Sequence, residues 1–160
     1  MSEIYLTLLR LGPDLKGEER GILKVMAGNF MTKVFSTREN DATLKLSSLR
    51  VGTYEMQHST KDFNLDGKPC KPINCLRPTD SRIRKILIHR AWNNDPNSLA
   101  GCIAPGIWGN IDDFTGSEQA IIDLFEAIGG YEAGKLINLV VLSNASGVGL
   151  ETRDTWSRTK

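Results

Sequence analysis

The residues best suited to chemistry in this sequence are Cys102 and His89. Cys102 stands between Gly101 and Ile103. A small residue before a thiol lets substrate approach closely, and it lets the backbone turn so that nearby N–H groups face an oxyanion. His89 ends the apolar run Ile86-Leu87-Ile88, where a side chain can be held rigidly at a cleft edge. A thiol and an imidazole within hydrogen-bond reach supply a nucleophile and its general base together. Their separation suits two neighbouring β-elements that face each other. The competing use is packing, since a free cysteine often serves as a small buried hydrophobe.

A third group must orient the imidazole. Asp95, Asn93, Asn94, His58 and a backbone carbonyl are the candidates. Asp95 also suits a turn before Pro96, and Asn93 and Asn94 suit turns equally well. His58 shares a strand face with Tyr54 and Met56, where it either lines the cleft or packs. Arg90 adjoins His89, but strand alternation turns its side chain away. Arg82, Arg84, Lys85 and Arg90 form a local basic cluster, able to hold a carboxylate or to protect a strand edge. Trp92 and Trp108 flank the centre as apolar or sugar-stacking walls. The expected substrate-contacting set is therefore Arg90, Trp92, Asn93, Asp95, Trp108 and His58. Zinc would need His58, His89, Cys70, Cys75 and Cys102, but the C-x4-C spacing of Cys70 and Cys75 is poor for a knuckle. No metal or cofactor is expected. Phosphate-loop, dinucleotide, HExxH, EF-hand and G-x-S-x-G patterns are missing from the sequence.

These residues need strands to position them. Ile4 to Leu11 reads as an opening strand by its period-2 apolar character. Gly12 to Gly21 is a polar turn region. Gly21 to Met26 and Phe30 to Phe35 are β-like, joined by Ala27-Gly28-Asn29 as a hairpin. Ser36 to Ala42 reads as a charged loop, and Leu44 to Leu49 alternates. Val51 to Tyr54 opens a further strand. Thr60 to Ser81, with Pro69, Pro72 and Pro78, reads as a long polar loop. In Arg82 to Arg90, Ile86 and Ile88 point one way, while Lys85, Leu87 and His89 point the other. Pro105-Gly106 reads as a turn. Ser117 to Ile128 is the one clear helix, capped by Ser117 and ended by Gly129-Gly130, with Ile121, Leu124, Phe125 and Ile128 as its apolar stripe. Leu136 to Leu142 is apolar enough to be a central strand. The expected fold is a mostly β, small mixed domain over residues 1–150 with one principal covering helix. Residues 151–160 form a polar tail.

Composition sets the wider limits. The 160 residues are 40% hydrophobic and 24% charged, which is ordinary globular composition. Twenty basic residues against 19 acidic ones leave a formal charge of +1, so nucleic acid is not an expected partner. The three cysteines cannot all pair within the chain; Cys70 and Cys75 can bridge in an oxidising compartment. No signal peptide and no membrane span are read in the sequence.

The stretch Ile86-Leu87-Ile88-His89, followed by Gly101-Cys102-Ile103 and Gly106, resembles a small family found in phages and prophages. That family is itself similar to the YkuD-like L,D-transpeptidases. Gly21 to Phe35, Gly52-Thr53-Tyr54 and the later helix and strand extend the resemblance to about two thirds of the chain. It implies the transpeptidase catalytic fold, with Cys102 as nucleophile, His89 as general base, and the Gly101 and Cys102 N–H groups on the oxyanion. The implied substrate is a peptidoglycan stem peptide, and the acceptor is an amine or water. Three departures weigh on this. The transpeptidases usually carry Gly two residues after the His, where this chain has Ala91. Their Ser or Thr and His-Gly before the Cys is reduced to Ser98-Leu99-Ala100-Gly101. Their Arg shortly after the Cys is absent, with Ala104 and Pro105 following Ile103. Expected localisation is the host cytoplasm or the virion, with release at lysis. The alternative is a non-catalytic virion or accessory protein that keeps the fold, with a virion or host protein as partner.

Overall fold

A computed structural model of the chain describes residues 3–13, 18–41, 49–63, 69–83, 86–91, 102–108 and 114–143. Among the described residues, eight strands and one α-helix run in the order β1 (Ile4–Pro13), β2 (Glu18–Ala27), β3 (Phe30–Asp41), β4 (Gly52–Phe63), β5 (Pro69–Pro78), β6 (Ile103–Trp108), β7 (Phe114–Thr115), α1 (Ser117–Ala127) and β8 (Leu136–Ser143). They form one sheet in the order β5-β4-β8-β1-β2-β3-β6-β7. The sheet curls into a half-barrel. Ile88 bridges Leu76 of β5 on one side and Ile103 of β6 on the other, drawing the two ends together. The fold is a small, mostly β domain with one main helix.

Alternation builds the core. Leu6 and Leu8 of β1, Leu23 and Val25 of β2, and Leu139 and Val141 of β8 all project to one face and are fully or almost fully buried. The helix stripe Ala120, Ile121, Leu124, Phe125 and Ile128 joins the same cluster. Strand β8 lies between β4, antiparallel, and β1, parallel, as its apolar sequence predicts. The β2–β3 hairpin closes at the Ala27↔Phe30 pair through Gly28 and Asn29, with Gly28 at φ 60°.

Several expectations change. Ser36 to Ala42 was read as a charged loop, but β3 continues to Asp41 and buries Thr37, Arg38 and Glu39. Glu39 forms a two-pronged ion pair with Arg10, at 2.9 Å in both contacts, with exposures of 1% and 0%. Charge is tolerated inside because it is matched. Thr60 to Ser81 contains all of β5 and the end of β4, and its prolines fit because β5 is an end strand whose free side is bridged only at Leu76, by Ile88. Pro105-Gly106 is no turn: both lie within β6, opposite Thr37 and Ser36. Arg82 to Arg90 forms no strand among the described residues: Ser81–Ile83 is a single 3-10 turn, and Ile88 makes only isolated bridges, to Leu76 and Ile103. Ser117 does not cap α1. Gly116 occupies the cap position at φ 70°, and the Ser117 hydroxyl accepts the Ala91 N–H at 2.8 Å instead. Gly129 and Gly130 end the helix at positive φ, as expected. The Leu44–Ser48 part of the alternating stretch and the 151–160 tail lie outside the described residues.

Gly106 shows how tightly β6 is seated. A Cβ there would stand 2.5 Å from Phe114 Cζ and 2.9 Å from the Thr115 carbonyl oxygen. The carbonyl cannot move without unpairing β7, so Gly106→Ala should destabilise the domain by about 1–3 kcal/mol. The midpoint of urea unfolding measures this.

Candidate functional site

Two layers meet at residues 86–91. Ile86 and Ile88 enter the main core, while Leu87 and Ala91 join Cys75, Cys102, Ala104 and Phe114 in a second cluster on the opposite face. His89 shares the parity of Leu87. The parallel bridge Ile88↔Ile103 is closed by His89 N–H to the Ile103 carbonyl at 3.0 Å and by Ile103 N–H to the Leu87 carbonyl at 2.9 Å. Leu87 thus lies beside Cys102, and His89 beside Ala104. The imidazole and the thiol belong to one face, a diagonal step apart, about 8 Å between Cα atoms from ordinary strand spacings. The antiparallel bridge Leu76↔Ile88 sets Cys75 directly across from His89.

The thiol is 6% exposed and the imidazole 1%. The Leu87 N–H donates to Cys102 Sγ at 3.3 Å. Burial pushes the Cys102 thiol up, opposed by that N–H and by the charges of Lys61 and Arg77. Burial likewise raises Cys75, to about 11. His89 moves the other way. Burial, with the Lys61 ammonium adding to it, lowers the imidazole to about 3. The resting pair is therefore a neutral thiol and a neutral imidazole, not an ion pair.

The tautomer follows from the hydrogen bond. His89 Nδ1 faces the Arg90 carbonyl oxygen, which can only accept, so Nδ1 carries the proton. Nε2 is then the bare nitrogen, and it has no hydrogen-bond partner among the described residues. Of the five candidates for the orienting group, a backbone carbonyl fills the role.

The remaining candidates scatter. His58 turns to the opposite face, where its ring meets Phe125 edge-on at 5.2 Å and Nδ1 accepts the Glu132 N–H at 3.1 Å. It packs against α1 and does not line the thiol. Arg90 points away from His89 to Glu118, at 3.1 Å, as alternation predicts. It borders a cavity of about 400 Å³ between α1 and β5, with Ile73, Ile122, Phe125 and Tyr131. Trp108 ends β6, its backbone paired with Phe114. Gly101, Trp92, Asn93 and Asp95 lie outside the described residues. Cys75 carries a free thiol. Cys70 lies five positions along the same strand, about 16 Å away, beyond disulfide reach. The Cys70–Cys75 bridge allowed by sequence spacing is therefore not formed. No group of three metal-ligating side chains forms among the described residues.

Lys61 is the residue that sequence reading missed. It lay inside what looked like a polar loop, and only its place on β4, 8% exposed, reveals it.

Protonating either buried histidine opposes folding. The ordinary value is near 6.5, and both His58 and His89 are depressed in the fold. Their contribution to stability is complete above pH 6.5 and is lost as pH falls, for His89 down to about pH 3. For His89 the slope in this window is up to about 1.4 kcal/mol per pH unit. Urea titrations at stepped pH should show a shallower acid slope for His89→Gln than for the unaltered chain.

Comparison of the chain with protein-family models, with curated proteins and with solved structures gives no match in any of the three.

Proposed function

We propose that this protein is a phage or prophage cysteine enzyme that acts on peptidoglycan stem peptides by acyl transfer or amide hydrolysis, on an L,D-transpeptidase-like fold. The carrying observation is the imidazole: Nδ1 is held by the Arg90 carbonyl, and the bare, buried Nε2 shares a sheet face with the Cys102 thiol. A buried polar atom without a partner calls for an explanation, and a proton acceptor is one. The motif Ile86-Leu87-Ile88-His89 with Gly101-Cys102-Ile103 supports the same roles.

In the proposed reaction, Sγ attacks the carbonyl carbon of a peptide bond as the thiol proton passes to His89 Nε2. The C–N bond breaks, and the leaving amine takes that proton. The thioester on Cys102 is then attacked by a second amine, giving a new amide, or by water, giving a carboxylate. Sγ regains a proton through His89. Because the thiol starts neutral, the transfer accompanies attack and does not precede it. The protein would act in the virion or host cytoplasm and reach the cell wall at lysis.

Separation of products after incubation with purified muropeptides tests this. The unaltered chain should cross-link or cleave them, and C102A should not. Unchanged product formation by both C102A and H89A would remove the assigned roles.

One observation favours a second reading, a non-catalytic virion or accessory protein. Cys102 is almost fully enclosed by Leu87, Ala91, Ala104 and Phe114, as a packing cysteine would be. On that reading C102A retains every measurable property except a small loss of stability.

A further inference from the structure

His58 ties a surface segment to the sheet. Residues 131–135 run from the end of α1 to the start of β8, and among the described residues three hydrogen bonds fasten them to β4. All three end on His58. Its backbone N–H donates to the Lys135 carbonyl at 2.8 Å, and its carbonyl accepts the Gly134 N–H at 3.0 Å. The third reaches the side chain: the Glu132 N–H donates to Nδ1 at 3.1 Å. His58 is 2% exposed, and its ring meets Phe125 at 5.2 Å and Tyr131 at 5.8 Å between centroids. Gly130 and Gly134, at φ 93° and 85°, stand near the two ends of the segment, where glycine can re-orient with little steric resistance.

An accepting Nδ1 fixes the tautomer. The proton of the neutral ring sits on Nε2, which is buried with no hydrogen-bond partner among the described residues. A second proton can go only to Nδ1, where it points at the Glu132 N–H. Two donors then face each other across a former hydrogen bond, and a cation lies in an aromatic pocket. The surroundings oppose that charge. Burial and the Lys135 ammonium work against it, and the Glu132 carboxylate partly offsets them. From α1 the ring meets Phe125, and across the strand His58 pairs with Leu76 of β5; neither is charged. The adjoining pair with β8, Gln57↔Leu136, is uncharged too.

We propose that His58 is an acid-released latch: its neutral ring holds residues 131–135 against β4, and uptake of a solvent proton at Nδ1 frees that segment while the sheet stays folded. The release is local because the β1–β2 and β1–β8 ladders do not pass through His58. Tyr131 moves with the segment. It lines the cavity of about 400 Å³ between α1 and β5, with Phe125, Ile73 and Arg90, so acid also opens that cavity. The sign follows from the two states. The ring titrates near 6.5 once released and lower while latched. The latch is therefore complete above pH 6.5 and weakens below it, by up to about tenfold per pH unit until the latched ring itself titrates. Neither Cys102 nor turnover enters this inference.

The experiment is hydrogen–deuterium exchange of the full chain at about pH 7.5 and about pH 4.5, read by mass spectrometry as protection relative to the unfolded chain. Peptides covering 131–135 should lose about tenfold or more of their protection in acid, while β1 and β2 keep theirs. His58→Asn places near Nδ1 an oxygen that accepts at either pH, and it should abolish the loss. His58→Gln substitutes for it where that variant does not fold. His89→Gln should leave the loss in place, which separates the latch from the other buried histidine. Protection of 131–135 that survives in acid would overturn the inference. So would a loss that falls in step with β1 and β2, or one of equal size in His58→Asn.

Discussion

Replacing Glu39 by glutamine should destabilise the domain by about 3–5 kcal/mol, because it removes the carboxylate charge from a buried, two-pronged ion pair with Arg10. The pair is bidentate at 2.9 Å and sealed from solvent. Arg10→Met should also destabilise the domain, because it removes both contacts to the Glu39 carboxylate. The double change Arg10→Met with Glu39→Leu should cost less than the sum of the two single changes, since neither charge of the pair is then left without the other. The pair also links structure to function. Arg10 lies in register with Gly21 of β2, and Gly21 with Thr37 of β3. Gly21 is the residue that fits, because a Cβ there would stand 2.7 Å from Thr37 Oγ1 and 2.8 Å from the Leu9 carbonyl oxygen. Glu39 in turn pairs with Ile103, the neighbour of Cys102. Breaking the ion pair therefore loosens the strand that seats the thiol. Urea unfolding should show a lower midpoint at unchanged slope for each single variant. A loss under about 1 kcal/mol in both single variants would mean that solvent reaches the pair.

The second large effect concerns catalysis. Cys102→Ser and Cys102→Ala should both abolish muropeptide turnover, while His89→Gln should lower it about 10²–10⁴-fold, the usual range for a lost general base. Serine is no rescue, because an imidazole held near pKa 3 is too weak a base to deprotonate a hydroxyl, which is far less acidic than a thiol. His89→Gln should leave the fold intact near neutral pH, where the histidine is already neutral. Initial rates of stem-peptide consumption at matched protein concentration provide the measurement. Equal losses for His89→Gln and for a change at the packed His58 would show that the effect is structural.

What the sequence made legible was local periodicity. The opening strand, the β2–β3 hairpin, the α1 stripe and central β8 follow from alternation, a glycine-containing turn and a 3.6-residue repeat. The two faces of residues 86–89 were also legible, since Ile86 and Ile88 alternate with Leu87 and His89. The misses share a cause. Residues 36–41 and 69–78 look like loops because they carry charges and prolines. Their strand character comes from partners remote in sequence: Arg10 neutralises Glu39, and the end position of β5 tolerates Pro72. Propensity loses to tertiary context in both places. Lys61 was hidden for the same reason, being unremarkable until β4 and β5 pair. Ser117 looked like a helix cap, and its hydroxyl was taken by Ala91, twenty-six residues earlier. The orienting group of His89 could not be chosen from side chains at all, because it is the backbone oxygen of its neighbour.

Mass spectrometry of protein quenched in acid, after brief mixing with a tetrapeptide muropeptide, addresses the role of Cys102 most directly. A thioester adduct on the peptide containing Cys102, cleared by hydroxylamine and absent from Cys102→Ala, is the expected result. Turnover that proceeds with no adduct on Cys102, or that survives in Cys102→Ala, would contradict it.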